Sequence, residues 1–298
     1  MNWLYVSIFA YFLYAVNFVI DKFLLTARVS NYLVYAFYTG ILSVFAFFLI
    51  PFGLVLPSAR ELIIIILAGA AFVFSFVFFY YAMQKNEALR ATAVVGALSP
   101  IFVLFFSYLF LGERLTPIQL IAFFLLIFGG ALVSFEKKEG ESGFSARALQ
   151  AAVFAAFLFG FFYFAMKYIF LTQPFFSGFV LTRISSFFVS FLLLVPRGSR
   201  RVILEHIKKL QTKTGFFVVM NKILGGTAFI IINYAIFLGS ASFVSALQGL
   251  QYGFLFILII FISKFYPHIL KEKLTVLTAL QKLIAILFIV AGIAFLTL

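Results

Sequence analysis

The sequence predicts an all-α integral membrane protein with ten transmembrane helices arranged as two inverted five-helix repeats. Three observations carry this. The 298 residues are 65% hydrophobic and 10% charged, with a mean hydropathy of +1.19. Soluble domains are about 45–50% apolar and about 25% charged, so lipid must be the solvent for most of this surface. Apolar stretches of about 20 residues, the length that spans a hydrocarbon core, recur along the whole chain. The chain also repeats itself. Phe9, Ala10, Phe12, Leu13 and Lys22 reappear as Phe154, Ala155, Phe157, Leu158 and Lys167, and Pro51 and Gly53 as Pro196 and Gly198.

The predicted spans are Trp3–Leu25, Tyr32–Pro51, Leu62–Met83, Ala91–Leu111, Pro117–Phe135, Ala148–Leu171, Phe175–Pro196, Gly215–Leu238, Phe243–Ser263 and Thr275–Leu298. Continuous apolar runs, rather than alternating strands of about ten residues, exclude a membrane β-barrel. The third and eighth spans match through Tyr81-Ala82 and Tyr234-Ala235, the fourth and ninth through Gly96 and Gly249, and the fifth and tenth through Gln119 and Gln281. This gives a first repeat over 1–135, a linker over 136–147 and a second repeat over 148–298. Five spans per repeat is an odd number, so the halves must enter the membrane in opposite senses, a common construction in secondary transporters.

Loop charges set an orientation. Only Arg60 and Arg114 follow even-numbered spans; the other loop Lys and Arg residues, from Lys22 to Lys273, follow odd-numbered ones. The positive-inside bias therefore places the odd loops in the cytoplasm and both termini outside. The same distribution accounts for the net charge of +13 without a nucleic-acid partner. No cleavable signal peptide is expected, because the N-terminus lacks a basic start. Within the basic segment 197–214, Ile203, Ile207 and Leu210 share one helical face. That pattern fits either a short helix held on the inner leaflet or a solvated basic loop.

Several functions are excluded. There is no cysteine, and the two histidines, His206 and His268, lie in polar connections, so neither a zinc site nor any other cofactor is expected. No nucleophile–base pair, metal cluster or acid pair is present to support an enzyme.

Charged groups deep in a bilayer are costly and mark function. Arg183 is central in the seventh span, while Lys222 and Lys282 lie about eight residues into the eighth and tenth, roughly 12 Å deep at about 1.5 Å per residue. Lys22 and Lys167 are nearer span ends and can snorkel. Lys222, Gly226, Phe229 and Asn233 share a face, as do Gln248, Gln251 and Tyr252, and Tyr14, Asn17 and Asp21. The candidate substrate-binding set is Arg183, Lys222, Lys282, Gln248, Gln251, Tyr252, Asn233, Asn17 and Tyr14. Helix-to-helix adhesion is the alternative role of the amides among them. No carboxylate lies as deep as the three cations, so the expected substrate carries an anionic group.

The run Gly112-Glu113-Arg114-Leu115-Thr116-Pro117-Ile118-Gln119, leading into a helix that ends Gly129-Gly130, resembles the end of an EamA module of the drug/metabolite transporter superfamily. Ala93 through Pro100 fits the usual lead-in, and Glu272, Leu274, Thr275, Gln281 and Gly292 echo the module in the second half. The resemblance implies ten helices around a central substrate cavity in the plasma membrane. It also implies cytoplasmic termini, the reverse of what the loop charges indicate. The expected function is secondary transport of a small organic metabolite with a carboxylate or phosphate ester, as exporter, exchanger or facilitator. The alternative is a flippase for an anionic lipid headgroup. The expected partners are the substrate and membrane lipid, and a homodimer is not required.

Overall fold

A computed structural model describes residues 2–24, 31–83, 88–134, 145–208, 215–265 and 276–297. The helices are α1 (Asn2–Leu24), α2 (Tyr32–Ile41), α3 (Ala59–Met83), α4 (Ala88–Leu111), α5 (Pro117–Ser134), α6 (Ala146–Phe170), α7 (Phe175–Ser190), α8 (Arg197–Lys208), α9 (Gly215–Leu238), α10 (Ala241–Ala246), α11 (Gly249–Phe265) and α12 (Val276–Thr297). With α2 and α7 extended by 3-10 turns, and with α10 and α11 read as one broken span, these give the ten expected crossings. No strand occurs among the described residues. The protein is an all-α, multi-pass integral membrane protein.

Two departures from ideal helix have local causes. Both α2 and α7 tighten into 3-10 helix, at Leu42–Phe52 and Phe191–Leu194. The first stretch contains Pro51, and the second ends two residues before its repeat equivalent, Pro196. Proline has no N–H for the carbonyl four residues back, and its ring crowds that carbonyl. The ninth span breaks at Leu247 and Gln248. There Gln248 N–H donates to Ser245 O (3.1 Å) and Gln251 N–H to Gln248 O (3.1 Å), the shorter pattern of a 3-10 turn. This releases the Val244 carbonyl, which accepts the Tyr11 hydroxyl at 2.8 Å.

The packing shows the inversion directly. Phe47 meets Phe187 edge to face and Phe52 stacks on Phe176, with centroids 6.0 and 5.3 Å apart, so numbers rise along α2 as they fall along α7. These are repeat equivalents, and they lie antiparallel. The α5–α12 pair behaves likewise, since Gly129 abuts Ile289 and Gly292 abuts Leu126. Across the two halves, α1 packs along α9 as α6 packs along α3. The symmetry is incomplete: α3 packs closely on α7 at Gly69 and Ser185, while α9 makes no comparable contact with α2 among the described residues.

Two polar clusters join the repeats at one end, where the even-numbered connections lie. The Glu61 carboxylate accepts from Ser58 N–H (2.7 Å), the Ser58 hydroxyl (2.8 Å) and Gln173 Nε2 (3.2 Å). Ser177 Oγ donates to Val55 O and accepts from Val55 N–H, both at 3.0 Å. Glu113 accepts from the hydroxyls of Ser240 and Ser242. Beside it, Lys167 Nζ donates to the carbonyls of Ile236 and Phe237 at 3.2 and 3.4 Å. Lys167 thus caps the C-terminus of α9, where a cation suits the helix dipole, rather than only snorkelling.

At the opposite end, α8 is a helix whose Ile203 is wholly buried. It docks on α2 and the 3-10 end of α7, with the His206 ring 6.4 Å from Tyr38. At Ile203 the apolar stripe therefore faces protein rather than lipid. The Ile207 side chain and Leu210 lie outside the described residues.

The glycine contacts give a stability test. A Cβ at Gly129 would lie 2.7 Å from Ile289 Cγ1 and 2.8 Å from the Ala285 carbonyl, whereas one at Gly226 meets nothing within 4 Å. Gly129→Ala is expected to lower the thermal midpoint in detergent, by about 1–3 kcal/mol of overpacking. Gly226→Ala should leave it unchanged or raise it, by up to about 1 kcal/mol of helix propensity.

Candidate functional site: a caged arginine at the bundle centre

Helix α7 is rich in small hydroxyl residues, so it can sit deep in the bundle. Thr182 Oγ1 donates to Gly178 O (2.8 Å) and Ser186 Oγ to Thr182 O (2.9 Å), so these hydroxyls satisfy themselves on their own helix. Arg183 lies among them and is only 5% exposed. Its guanidinium carbon stands 3.7 Å from the Phe72 ring centroid, 4.8 Å from Phe229 and 5.6 Å from Phe162. The ring faces of α3, α9 and α6 thus surround the cation, each offering quadrupole attraction. Nη2 donates to Ser186 Oγ at 3.1 Å, while Nε has no protein partner. No carboxylate pairs with Arg183 among the described residues.

Tyr14 and Tyr163 lie within electrostatic range of Arg183, and Tyr11 stands 6.3 Å from Tyr14, ring to ring. Tyr252 hydrogen-bonds with Gln248 at the broken span, and its ring reaches toward Gly96 of α4, where a Cβ would come within 3.8 Å. Asn233 is fully buried. Its Nδ2 donates to Phe229 O at 2.8 Å, and its Oδ1 has no protein partner.

Other candidates sit elsewhere. Asn17 Nδ2 donates to Asn221 O and Oδ1, both at 2.7 Å, tying α1 to α9. Gln251 is half-buried just past the break. Lys282 is 7% exposed, with Nζ 4.8 Å from the Phe256 ring. Its helix packs on α5 and α11 rather than α7, so the structure does not bring it into the Arg183 cage. Its neighbour Gln281 donates to Leu132 O at 2.9 Å, an adhesive contact. The Lys222 side chain lies outside the described residues, as does that of Asp21.

Sequence reasoning placed Phe229 on the face shared by Lys222, Gly226 and Asn233, but missed Tyr11, Tyr163, Asn221 and the other two cage phenylalanines, Phe72 and Phe162. Tyr11 was recoverable, because it extends the Tyr14–Asn17 stripe by one helical step. Phe72 and Phe162 carry no signal among 47 phenylalanines.

The ten crossings thus bring one ring of the first repeat, Phe72, and two of the second, Phe162 and Phe229, around Arg183. The EamA-like transporter family model matches residues 1–135, which takes in α1–α5. A solved structure, described only as a crystal structure of a protein, is 16% identical to this chain. It aligns with 99% of this chain and 96% of its own, with a TM-score of 0.70; at that identity the likeness shows the fold. No curated protein matches the chain.

A buried cation without an acidic partner carries an uncompensated desolvation penalty. Arg183→Leu is therefore expected to keep or raise the thermal midpoint of the ligand-free protein. A fall of several kcal/mol, read from denaturation in detergent, would instead make Arg183 a structural keystone.

Proposed function

We propose that this protein is a secondary transporter for a small organic metabolite bearing a carboxylate or phosphate ester, working by alternating access. The observation that carries the reading is the Arg183 guanidinium, held by aromatic faces instead of a carboxylate, with Nε unused. A bound anion supplies the missing counter-charge and accepts charge-assisted hydrogen bonds. Tyr14, Tyr163, Tyr252 and Gln248 orient it, and Phe72, Phe162 and Phe229 receive its apolar part. Asn233 Oδ1, also without a protein partner, accepts from a substrate N–H or O–H.

Lys222 shares the face of α9 that carries Gly226, Phe229 and Asn233, and we assign it to the access path. Lys282, at the α11–α12 contact, ranks behind it. Glu61 and Glu113 belong to the bundle end rather than its centre, so exchange or facilitated diffusion fits better than proton antiport through a deep acid. Loop charges favour an orientation with both termini outside. The two repeats enclose the site without a second copy.

The test has two arms. Purified protein is screened by thermal shift against carboxylates, phosphate esters and structurally matched amines, and reconstituted protein is assayed for flux of the best ligand. Anions should stabilise it. Arg183→Ala should cut flux at least tenfold, since removing one member of a buried charged pair costs about 2–5 kcal/mol. Stabilisation by amines alone, or flux indifferent to Arg183→Ala, rejects the proposal.

A further inference from the structure

Two apolar grooves run side by side over the lipid-facing surface where α4, α5 and α6 meet. One, of about 500 Å³, is lined by Phe102, Leu149, Gln150, Val153, Phe154 and Phe157. The other, of about 490 Å³, lies among Val94, Leu98, Phe128 and Ala131 and shares Leu149 as a wall. Each is headed by an arginine on its own helix. Arg147 precedes Gln150, Phe154 and Phe157 at helical spacing, and Arg90 precedes Val94 and Leu98 in the same way. Both arginines lie in the first turns of helices, α4 and α6, that run the same way, with Phe102 beside Phe157 and Phe106 beside Phe161, so both begin at the same end of the bundle. Helix dipoles there favour negative charge.

We propose that these paired grooves hold one anionic phospholipid, an acyl chain in each and the phosphate between Arg147 and Arg90. Gln150, the polar side chain lining the first groove, stands one turn below Arg147, the level of the ester groups. Leu149, common to both grooves, separates the chains. A second copy of the protein fits this face poorly. Two-fold pairing through it would bury Arg147 from both copies, and no carboxylate is among the residues lining either groove. The site is distinct from the Arg183 cage, and its test does not depend on the transport reading.

The experiment is native mass spectrometry of delipidated protein in detergent, titrated with dioleoyl phosphatidylglycerol and, separately, dioleoyl phosphatidylcholine. The wild type should retain one phosphatidylglycerol in clear preference. Arg90→Gln and Arg147→Gln should each weaken that retention about fivefold, the equivalent of about 1 kcal/mol per basic residue at a charged membrane surface. Arg147→Lys should restore most of it. Ala131→Trp, which fills the second groove, should weaken both lipids alike. Unchanged circular dichroism serves as the folding control for every variant. Equal retention of the two lipids, a preference that survives both glutamine variants, or a dimer that forms through this face without lipid overturns the proposal.

Discussion

Hydrocarbon gives a polar group nothing to bond with, and the whole architecture follows from that constraint. Each helix must satisfy its own backbone, and each polar side chain must find a protein partner or line a wet passage. The amides at Asn17 and Gln281 take the first course by bonding across to α9 and α5. The carbonyl released at Val244 finds the Tyr11 hydroxyl, and the last carbonyls of α9 find Lys167. Against that thorough satisfaction, the unused Nε of Arg183 and Oδ1 of Asn233 stand out. They lie on helices of the second repeat that meet at Phe229.

The repeat shares its scaffold but divides its chemistry. At the position equivalent to Arg183 the first repeat has Tyr38, and at the position equivalent to Asn233 it has Tyr80. The equivalent of Lys222 is Gly69, which α7 approaches so closely that a Cβ would collide with Ser185. The first repeat thus contributes close packing and aromatic surface, including Phe72, while the second contributes charge and amides. The backbone is thus close to symmetric while the buried polar groups are not.

The fold was largely readable from sequence because its signals are long. Span length, the repeat and the uneven loop charge each average over many residues, and the eighth span was placed to the residue, at Gly215–Leu238. The break at Leu247 was not readable, since it depends on a two-residue change in hydrogen bonding. The placement of Arg183 followed from its depth. Its aromatic surroundings did not, because the rings come from three helices distant in sequence. Lys282 shows the limit of depth as a guide: it is as deep in sequence as Lys222, yet its helix packs on the α5–α11 side. Ile203 shows the limit of amphipathicity, which reveals an apolar face but not whether protein or lipid covers it.

Glu61 and Glu113 have a consequence for how the two halves are held together. Both stand in the first repeat, yet both accept from side chains of the second, Gln173 in one case and Ser240 and Ser242 in the other. Parting the halves at that end must strip each carboxylate of donors that water then replaces, at about 1–3 kcal/mol for each charged hydrogen bond lost. The opposite end is held by the Asn17–Asn221 amide link and by α8 against α2. The two ends of the molecule are therefore fastened differently: one by carboxylates, the other by neutral amides and apolar docking. Separating them draws on polar bonds at the first end and largely on apolar contact at the second.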